Sequence, residues 1–561
     1  MGPGRTTNML QRLVLCGLML TLAGVIAAGC GGSSDPAAAA EGGTKPRGGT
    51  MTIGMDQEPQ CLNVKIQCGS MAATSMIASS LFDGLLDVNA DGDYAPKIAL
   101  EVPTRENGLV KENADGTMSV TLHLDPKAAW SDGTPITCDD VAFNFTTTMD
   151  ERWQVVSRKG WDQIKSVDCP DRLTVVYVFM KPYAPYLSYV SAGPLPKHVL
   201  EGKDFNSFFN EKIPVASGPF VLDHWDRSVE VVLRRNAKYW DAGEEDKPYL
   251  DKIRYVFVAD TNTLKIQLRT GEVDVISPPP DSTLKQELEG FPRAKFQSEP
   301  GVYWEQIAFN NATAPTNDIN VRQAIARSID RDEIADVVLK KQVKRLDSTL
   351  LPAKEEYYLP AWSDVKADPK VAQQYLEKSG YKRSGQYYAK GGKPLTVTFK
   401  STAGNDLRLK VAQLLQQSLK KNGIKMIIAM EPPNVLFGQS TPQGNYDLAL
   451  WAWSSGIDPS QISMFTCDSI PSEANDFSGQ NNYRYCNERV SELLEKSEVT
   501  TAVKERAAIV HEVQTLMAAD MPLLPLFQRP ETLAYTNAAI GMDNNPLGGL
   551  TWNARDWAVA K

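Results

Sequence analysis

The sequence predicts a mixed α/β protein of more than one domain, and three observations predict it. Residues 395–430 read strand, helix, strand: an apolar run at 395–400, an amphipathic helix at 408–422 capped by Gly423, and a second apolar run at 424–430. Elsewhere two strand-like runs, 220–223 and 229–234, flank a polar turn and make a hairpin, so antiparallel pieces mix with that unit. The chain has 561 residues, too many for one hydrophobic core to organise.

Composition narrows the function classes. With 42% hydrophobic and 23% charged residues the body reads as soluble and globular. A net charge of −9 and the lack of a long basic run argue against a nucleic-acid partner. Of the four histidines, His123, His198, His224 and His511, no two stand at metal-ligand spacing. His511-Glu512 begins a zinc-protease pattern, but Thr515 occupies the place of the second histidine. No GxSxG elbow, phosphate loop or GxGxxG is found. The sequence therefore predicts neither a metal nor a cofactor.

The first residues are an address. Arg5 and Arg12 accompany an apolar segment at 13–28, with no acidic residue before Cys30. Residues 1–29 thus read as a secretory signal peptide. Ala27-Ala28-Gly29-Cys30 resembles a bacterial lipobox, in which cleavage leaves Cys30 to carry diacylglycerol; Ala27 departs from the usual leucine. A plain signal peptide or a membrane anchor are the alternatives, though the apolar segment is short for a span. Losing Arg5 and Arg12 takes the charge to −11. Residues 30–49, rich in Gly, Ala, Ser and Pro, read as a flexible tether.

The cysteines agree with export. Cys16 leaves with the leader, Cys30 is the lipid site, and Cys61, Cys68, Cys138, Cys169, Cys467 and Cys486 remain. Six cysteines allow about fifteen pairings. They lie as three local couples, which predicts 61–68, 138–169 and 467–486; buried free thiols are the alternative, a poor fit outside the cytoplasm.

The body opens with a strand at 50–55 and the polar segment Gln57-Glu58-Pro59-Gln60. Helical spacing follows at 71–86 and a strand at 119–124. In 130–141 Asp132-Gly133 turns the chain and Thr137 can cap a helix. A strand at 173–180, an aromatic helix at 183–192, the hairpin, a strand at 253–258, a helix at 263–269 and a strand at 273–276 come next. Residues 300–310 are strand-like. A helix spans 318–329, with Asp318 or Asn320 as cap and Val321, Ile325 and Ile329 on one face; Asp330 caps a second, 331–341. After the strand–helix–strand unit the run 446–453 is nearly all apolar, broken by Asp447, so it reads as a strand buried on both faces. Trp451 and Trp453 share one side of it, and Ser454, Ser455, Gly456, Ile457, Asp458 and Pro459 make a polar turn directly after. In open α/β sheets ligands bind at the carboxyl ends of strands, which makes this turn ligand-facing. Two core tryptophans before an ordinary loop is the other reading of the same residues. Helices at 488–496 and 503–519, an extended segment at 522–535 and a tail at 537–561 complete the chain.

The order of WSDGTPITCDDVAF (130–143), SGPFVLDHW (217–225) and RRNAKYW (234–240), behind such a leader, resembles the family 5 (peptide/nickel class) solute-binding proteins of ABC importers. PGVYWEQIAFN (300–310), DINVRQA (318–324) and NYRYC (482–486) share the resemblance, which covers residues 50–557. It implies a two-lobed, periplasmic-binding-protein-like α/β fold (class II, venus flytrap) with an extra subdomain in the first lobe. Lobe I would be 50–300, lobe II 301–521, and 522–561 a return segment completing lobe I. It further implies a monomer on the outer face of the cytoplasmic membrane, held there by its lipid. Such a protein is no enzyme: it captures a small solute, foremost an oligopeptide or dipeptide, and delivers it to the transmembrane subunits of an ABC permease. A sugar, opine or metal chelate as solute, a sensor without import, and an exported hydrolase using cleft carboxylates are the alternatives.

Carried onto this sequence, the family's ligand contacts fall on Trp453 as an apolar wall and on Ser454 and Ser455, whose turn offers backbone groups. Glu58 matches a polar segment facing the cleft. Arg408 lies near a basic position for a ligand carboxylate; a solvated residue at a helix start is the alternative. Asp458-Pro459 matches an acidic-proline pair that shapes the turn. Gly456 stands where peptide-binding members usually place an aspartate for the ligand's ammonium, so either Glu58 or Asp458 supplies that charge or the ligand lacks the amine.

Overall fold

The computed structural model describes residues 45–560 apart from 90, 277–283 and 341. The leader and Cys30 lie outside the described residues, as does the tether up to residue 44.

The main sheet is built from β1 (Thr50–Met55), β2 (Phe220–Asp226), β3 (Glu230–Arg235), β4 (Lys252–Phe257), β5 (Val275–Ile276), β6 (Ala294–Phe309), β7 (Thr396–Thr402), β8 (Lys425–Glu431), β9 (Leu448–Ser454) and β10 (Leu523–Thr536). Their order is β8-β7-β9-β6-β10-β5-β1-β4-β3-β2. Two parallel groups lie in it. β1 runs parallel to β4 and β5, and β7 runs parallel to β8 and β9.

The long antiparallel pair β6 and β10 joins the two groups. Leu523, Leu524, Leu526 and Phe527 at the start of β10 pack with Phe399 and Trp451 in one core. Leu533 and Tyr535 further along pack with Ile53 and Tyr255 in another. The pairing of the two strands breaks between Pro300 and Trp304. Gly301 lies in the break, where an added Cβ would stand 2.7 Å from the Arg529 carbonyl oxygen. The fold is thus two-lobed, each lobe with its own apolar interior, and two strands pass between them.

Local sequence explains the helices that frame the lobes. In α1 (Cys138–Met149) the Asp140 carboxylate accepts from the Thr137 backbone N–H at 3.0 Å, the reciprocal half of a capping box. α2 (Asp406–Lys421) starts where the Asn405 side chain accepts from the Arg408 N–H at 3.0 Å, and Gly423, at φ 79°, turns the chain into β8. Asp318 and Asp330 cap the helices Ile319–Arg327 and Arg331–Leu339. α3 (Glu488–Val499) and α4 (Val503–Asp520) cover the second lobe. Among the described residues no helix is long and apolar enough to cross a membrane.

A third core, around Trp130, Tyr177 and Phe179, belongs to a four-stranded antiparallel sheet that includes Met118–His123 and Thr174–Phe179. All three disulfides form as paired above: Cys61–Cys68, Cys138–Cys169 and Cys467–Cys486.

Two expected helices are shorter than their periodicity suggests. That over 71–86 spans Ala72–Ala78. Leu81 and Leu85 enter different cores, so the chain must leave the helix between them, and Gly84 packs against the Leu86 carbonyl oxygen, 2.5 Å from where a Cβ would stand. That over 183–192 spans Tyr186–Val190, because Tyr183 instead stacks on Phe179 at 5.4 Å.

Candidate functional site

The carboxyl ends of both parallel groups point into the space between the lobes. Asp56 follows the last residue of β1, and Ala259 lies just past β4. From the other lobe come Thr402 at the end of β7 and Ser454 at the end of β9. The two rims touch: a Cβ on Gly404, at φ 79°, would collide with the Ala259 carbonyl oxygen, and Asn262 donates to Asp406 at 2.7 Å. On the opposite side Ser478 donates to the Val155 carbonyl at 2.9 Å and the Tyr183 hydroxyl donates to Glu498 at 2.8 Å. Strand-end loops thus meet from both sides, the place where open α/β sheets hold ligands.

Trp453 is half-buried at the end of β9. It shares a sheet face with Trp451, as strand alternation requires, with ring centroids 6.4 Å apart. Its indole N–H donates to the Tyr483 hydroxyl at 2.7 Å, and Tyr483 stacks on Phe465 at 5.3 Å. Indole is thereby fixed in orientation while part of it stays open.

The turn after it is held at both ends. The Ser455 N–H donates to the Val302 carbonyl at 2.8 Å. Asp458 receives both terminal nitrogens of Arg506, at 2.7 and 2.8 Å, and Lys354 donates to the Ile457 carbonyl. Ser454 and Gly456 are exposed between these ties. Behind the turn Glu498 is buried, and its carboxyl is pushed up to about 7, first by burial and then by the Asp458 carboxylate.

Glu58 is tied within the first lobe. Its Oε1 accepts from the Trp225 indole N–H at 3.2 Å and the Ser228 N–H at 3.0 Å. Arg408, expected near a ligand carboxylate, is 4% exposed and bonded to Glu305, itself 1% exposed. The Nη2–Oε1 distance is 2.9 Å, and Nη1 donates to the Thr402 hydroxyl at 3.0 Å. Glu305 pairs across the sheet with Ala452, the neighbour of Trp453, so Arg408 and Trp453 reach the strand ends from opposite faces of the sheet.

Sequence reasoning passed over three charged residues here: Asp56, Glu305 and Arg529. Arg529 lies 3.7 Å from Glu305 and over the Tyr303 ring at 5.6 Å. Burial pushes the Asp56 carboxyl up, against the opposing pull of Arg529 and Arg408. The strand-end rule that singles out Trp453 applies equally to Asp56 and could have found it. Nothing local marks Glu305 or Arg529.

The sequence profile of the bacterial extracellular solute-binding proteins, family 5 Middle, matches residues 93–470. The oligopeptide-binding protein AppA of Bacillus subtilis is 24% identical over 562 aligned residues, covering 98% of this chain and 99% of that one. Its solved structure in complex with a nonapeptide superposes with a TM-score of 0.82 at 22% identity, covering 92% of this chain and all of that one. NikZ of Campylobacter jejuni, solved in complex with Ni(L-His), superposes with a TM-score of 0.78 at 23% identity, covering 91% and 99% of the two chains.

Proposed function

Because the chain belongs to the bacterial extracellular solute-binding proteins of family 5, we propose that it is a lipid-anchored receptor that captures a short peptide between its lobes and hands it to an ABC permease. Solute binding for an ABC importer, outside the cytoplasm and without catalysis, is the role of that family. The observation that carries the reading is the convergence of two sets of strand carboxyl ends on a half-buried, oriented tryptophan beside an exposed turn.

In this reading lobe I comprises 50–300 and 522–561, and lobe II 301–521. Trp453 is the apolar wall, and backbone groups of Ser454, Ser455 and Gly456 pair with ligand amides as an added strand would. Asp458 shapes the turn through Arg506, Glu58 fixes the first-lobe rim, and Arg408 acts through Glu305. Cys30 carries the lipid, and the protein works as a monomer on the outer face of the membrane.

The peptide is supported by the oligopeptide-binding relative. Gly456, where peptide-binding members usually place an aspartate, favours a second reading, a non-peptide solute such as a sugar, opine or metal chelate. Titration calorimetry with short peptides, alongside small-angle scattering, tests the first reading. Expected are saturable one-to-one binding and a smaller radius of gyration with ligand. Saturation without compaction would remove the closing-cleft mechanism, and undiminished peptide uptake in a deletion strain would remove the import role.

A further inference from the structure

Tyr183 belongs to the third core but bonds outside it. Its ring stacks on Phe179 at 5.4 Å and leans on Tyr189 at 5.6 Å, while its hydroxyl donates to Glu498 Oε2 of the second lobe at 2.8 Å. The next residue repeats the contact: the Ala184 N–H donates to the Glu498 carbonyl at 2.7 Å. Tyr183 and Glu498 are both buried. Their lobes are joined by β6 and β10, so opening about those strands would break both bonds and return hydroxyl and carboxylate to water. Both are bonds of the closed arrangement.

A second strip of the first lobe, residues 155–159, is gripped from two sides. Val155 bridges to Ile66, and the Val156 N–H donates to the Lys65 carbonyl at 3.0 Å; both partners lie in the loop closed by Cys61–Cys68. From the second lobe Ser478 donates to the Val155 carbonyl at 2.9 Å, the Gly479 N–H donates to the Val156 carbonyl at 3.3 Å, and Asp468 pairs with Lys159. Those three residues lie in the loop closed by Cys467–Cys486.

The gripped elements are the ones that shape the ligand turn. Glu498 follows Ser497, whose carbonyl accepts from Arg506 Nε at 2.9 Å, and Arg506 holds Asp458 through both terminal nitrogens. The 467–486 loop carries Tyr483, the acceptor that orients the Trp453 indole.

We propose that Tyr183 is a positioning residue for solute capture: together with the strip 155–159 it latches the subdomain of the third core onto Glu498 and the 467–486 loop, and this latch holds Trp453 and the turn after it in their solute-binding placement. The inference rests on the binding-protein reading above. Closing also removes water from Glu498, so the latch is coupled to a proton. Closed, the Glu498 carboxyl is pushed up to about 7, first by burial and then by the Asp458 carboxylate. The groups facing it are Tyr183 and Tyr189 from the subdomain and Asp458 and Arg506 from the second lobe. Opened to water it returns toward its ordinary 4.5. The closed state therefore binds the proton more tightly; its gain is complete below pH 4.5 and lost as pH rises through about 7, so solute leaves faster at pH 8 than at pH 6.

The test combines hydrogen exchange at single amides with stopped-flow binding of tetra-alanine, on the soluble wild-type protein, Tyr183→Phe and Glu498→Gln. Tyr183→Phe keeps the ring and removes only the hydroxyl. It should raise exchange roughly tenfold at both the Ala184 and Gly479 amides and speed tetra-alanine dissociation by a similar factor, with association within about twofold. Glu498→Gln keeps an acceptor for Tyr183 without the titrating proton, so dissociation should stay slow and become equal at pH 6 and pH 8. If Tyr183→Phe does not fold, Ser478→Ala cuts the latch at its other grip and should raise exchange at Ala184 in the same way. Exchange raised only beside the substituted residue, unchanged dissociation, or a Glu498→Gln variant that keeps the wild-type pH profile would overturn the inference. Tetra-alanine failing to bind wild type would count against the peptide reading instead, and exchange at Gly479 would still decide the latch.

Discussion

Replacing Arg408 by methionine separates a ligand contact from a structural one. Arg408 is 4% exposed, and its partner Glu305 is 1% exposed. The substitution removes the 2.9 and 3.3 Å bonds to Glu305 and the 3.0 Å bond to Thr402. Among the described residues it leaves the Glu305 carboxylate facing Arg529 at 3.7 Å. Breaking a buried pair from one side costs about 3–5 kcal/mol, because the abandoned charge stays desolvated. For a lobe of roughly 200 residues each kcal/mol moves the thermal midpoint by about 2–4 °C, giving a loss of roughly 6–20 °C. Adding Glu305→Gln neutralises the stranded charge and should recover most of that loss. Scanning calorimetry on the single and double variants measures both. A midpoint unchanged within about 2 °C, with affinity lost only for carboxylate-bearing ligands, would show that Arg408 serves the ligand directly and that this reasoning is wrong.

Three further outcomes are expected. Trp453→Ala removes the apolar wall and the donor to Tyr483, and should weaken ligand binding by about 2 kcal/mol, roughly thirtyfold; affinity within about twofold would make Trp453 a core residue only. Glu498, held near 7 in the fold against an ordinary value of 4.5, binds its proton more tightly folded than unfolded. Its stabilising contribution is therefore complete below pH 4.5 and lost as pH rises through about 7, about 3 kcal/mol in all; thermal midpoints from pH 5 to 8 should fall more steeply in wild type than in Glu498→Gln, and parallel profiles would count against it. Cys30→Ser should yield protein without acyl mass that no longer partitions with membranes, and a mature amino terminus at any residue other than Cys30 in wild type would exclude the anchor.

What the sequence made legible was short-range. The strand–helix–strand unit at 395–430 has its cap at Asn405, its stop at Gly423 and two apolar strands, all within hydrogen-bonding reach along the chain. The cysteine couples paired with their sequence neighbours. The polar half of β6 escaped notice because its residues 294–299 are exposed or half-buried and do not alternate. Ile164–Asp171 escaped for the same reason. The helix at 71–86 ends early because Leu81 and Leu85 serve different cores, which periodicity along the chain does not encode. At the candidate site Trp453 announced itself by a large ring before a polar turn. Asp56, Glu305, Arg408 and Arg529 come from four distant segments, and only the folded sheet shows which charges pair and which remain open.

The central claim is that this chain binds a short peptide between its lobes and leaves it chemically unchanged. Native mass spectrometry of the soluble protein, incubated with an equimolar pool of short peptides, tests it most directly. The account predicts one peptide per protein, recovered intact after denaturation. Protein that retains no peptide, or recovery of cleaved products, would contradict it.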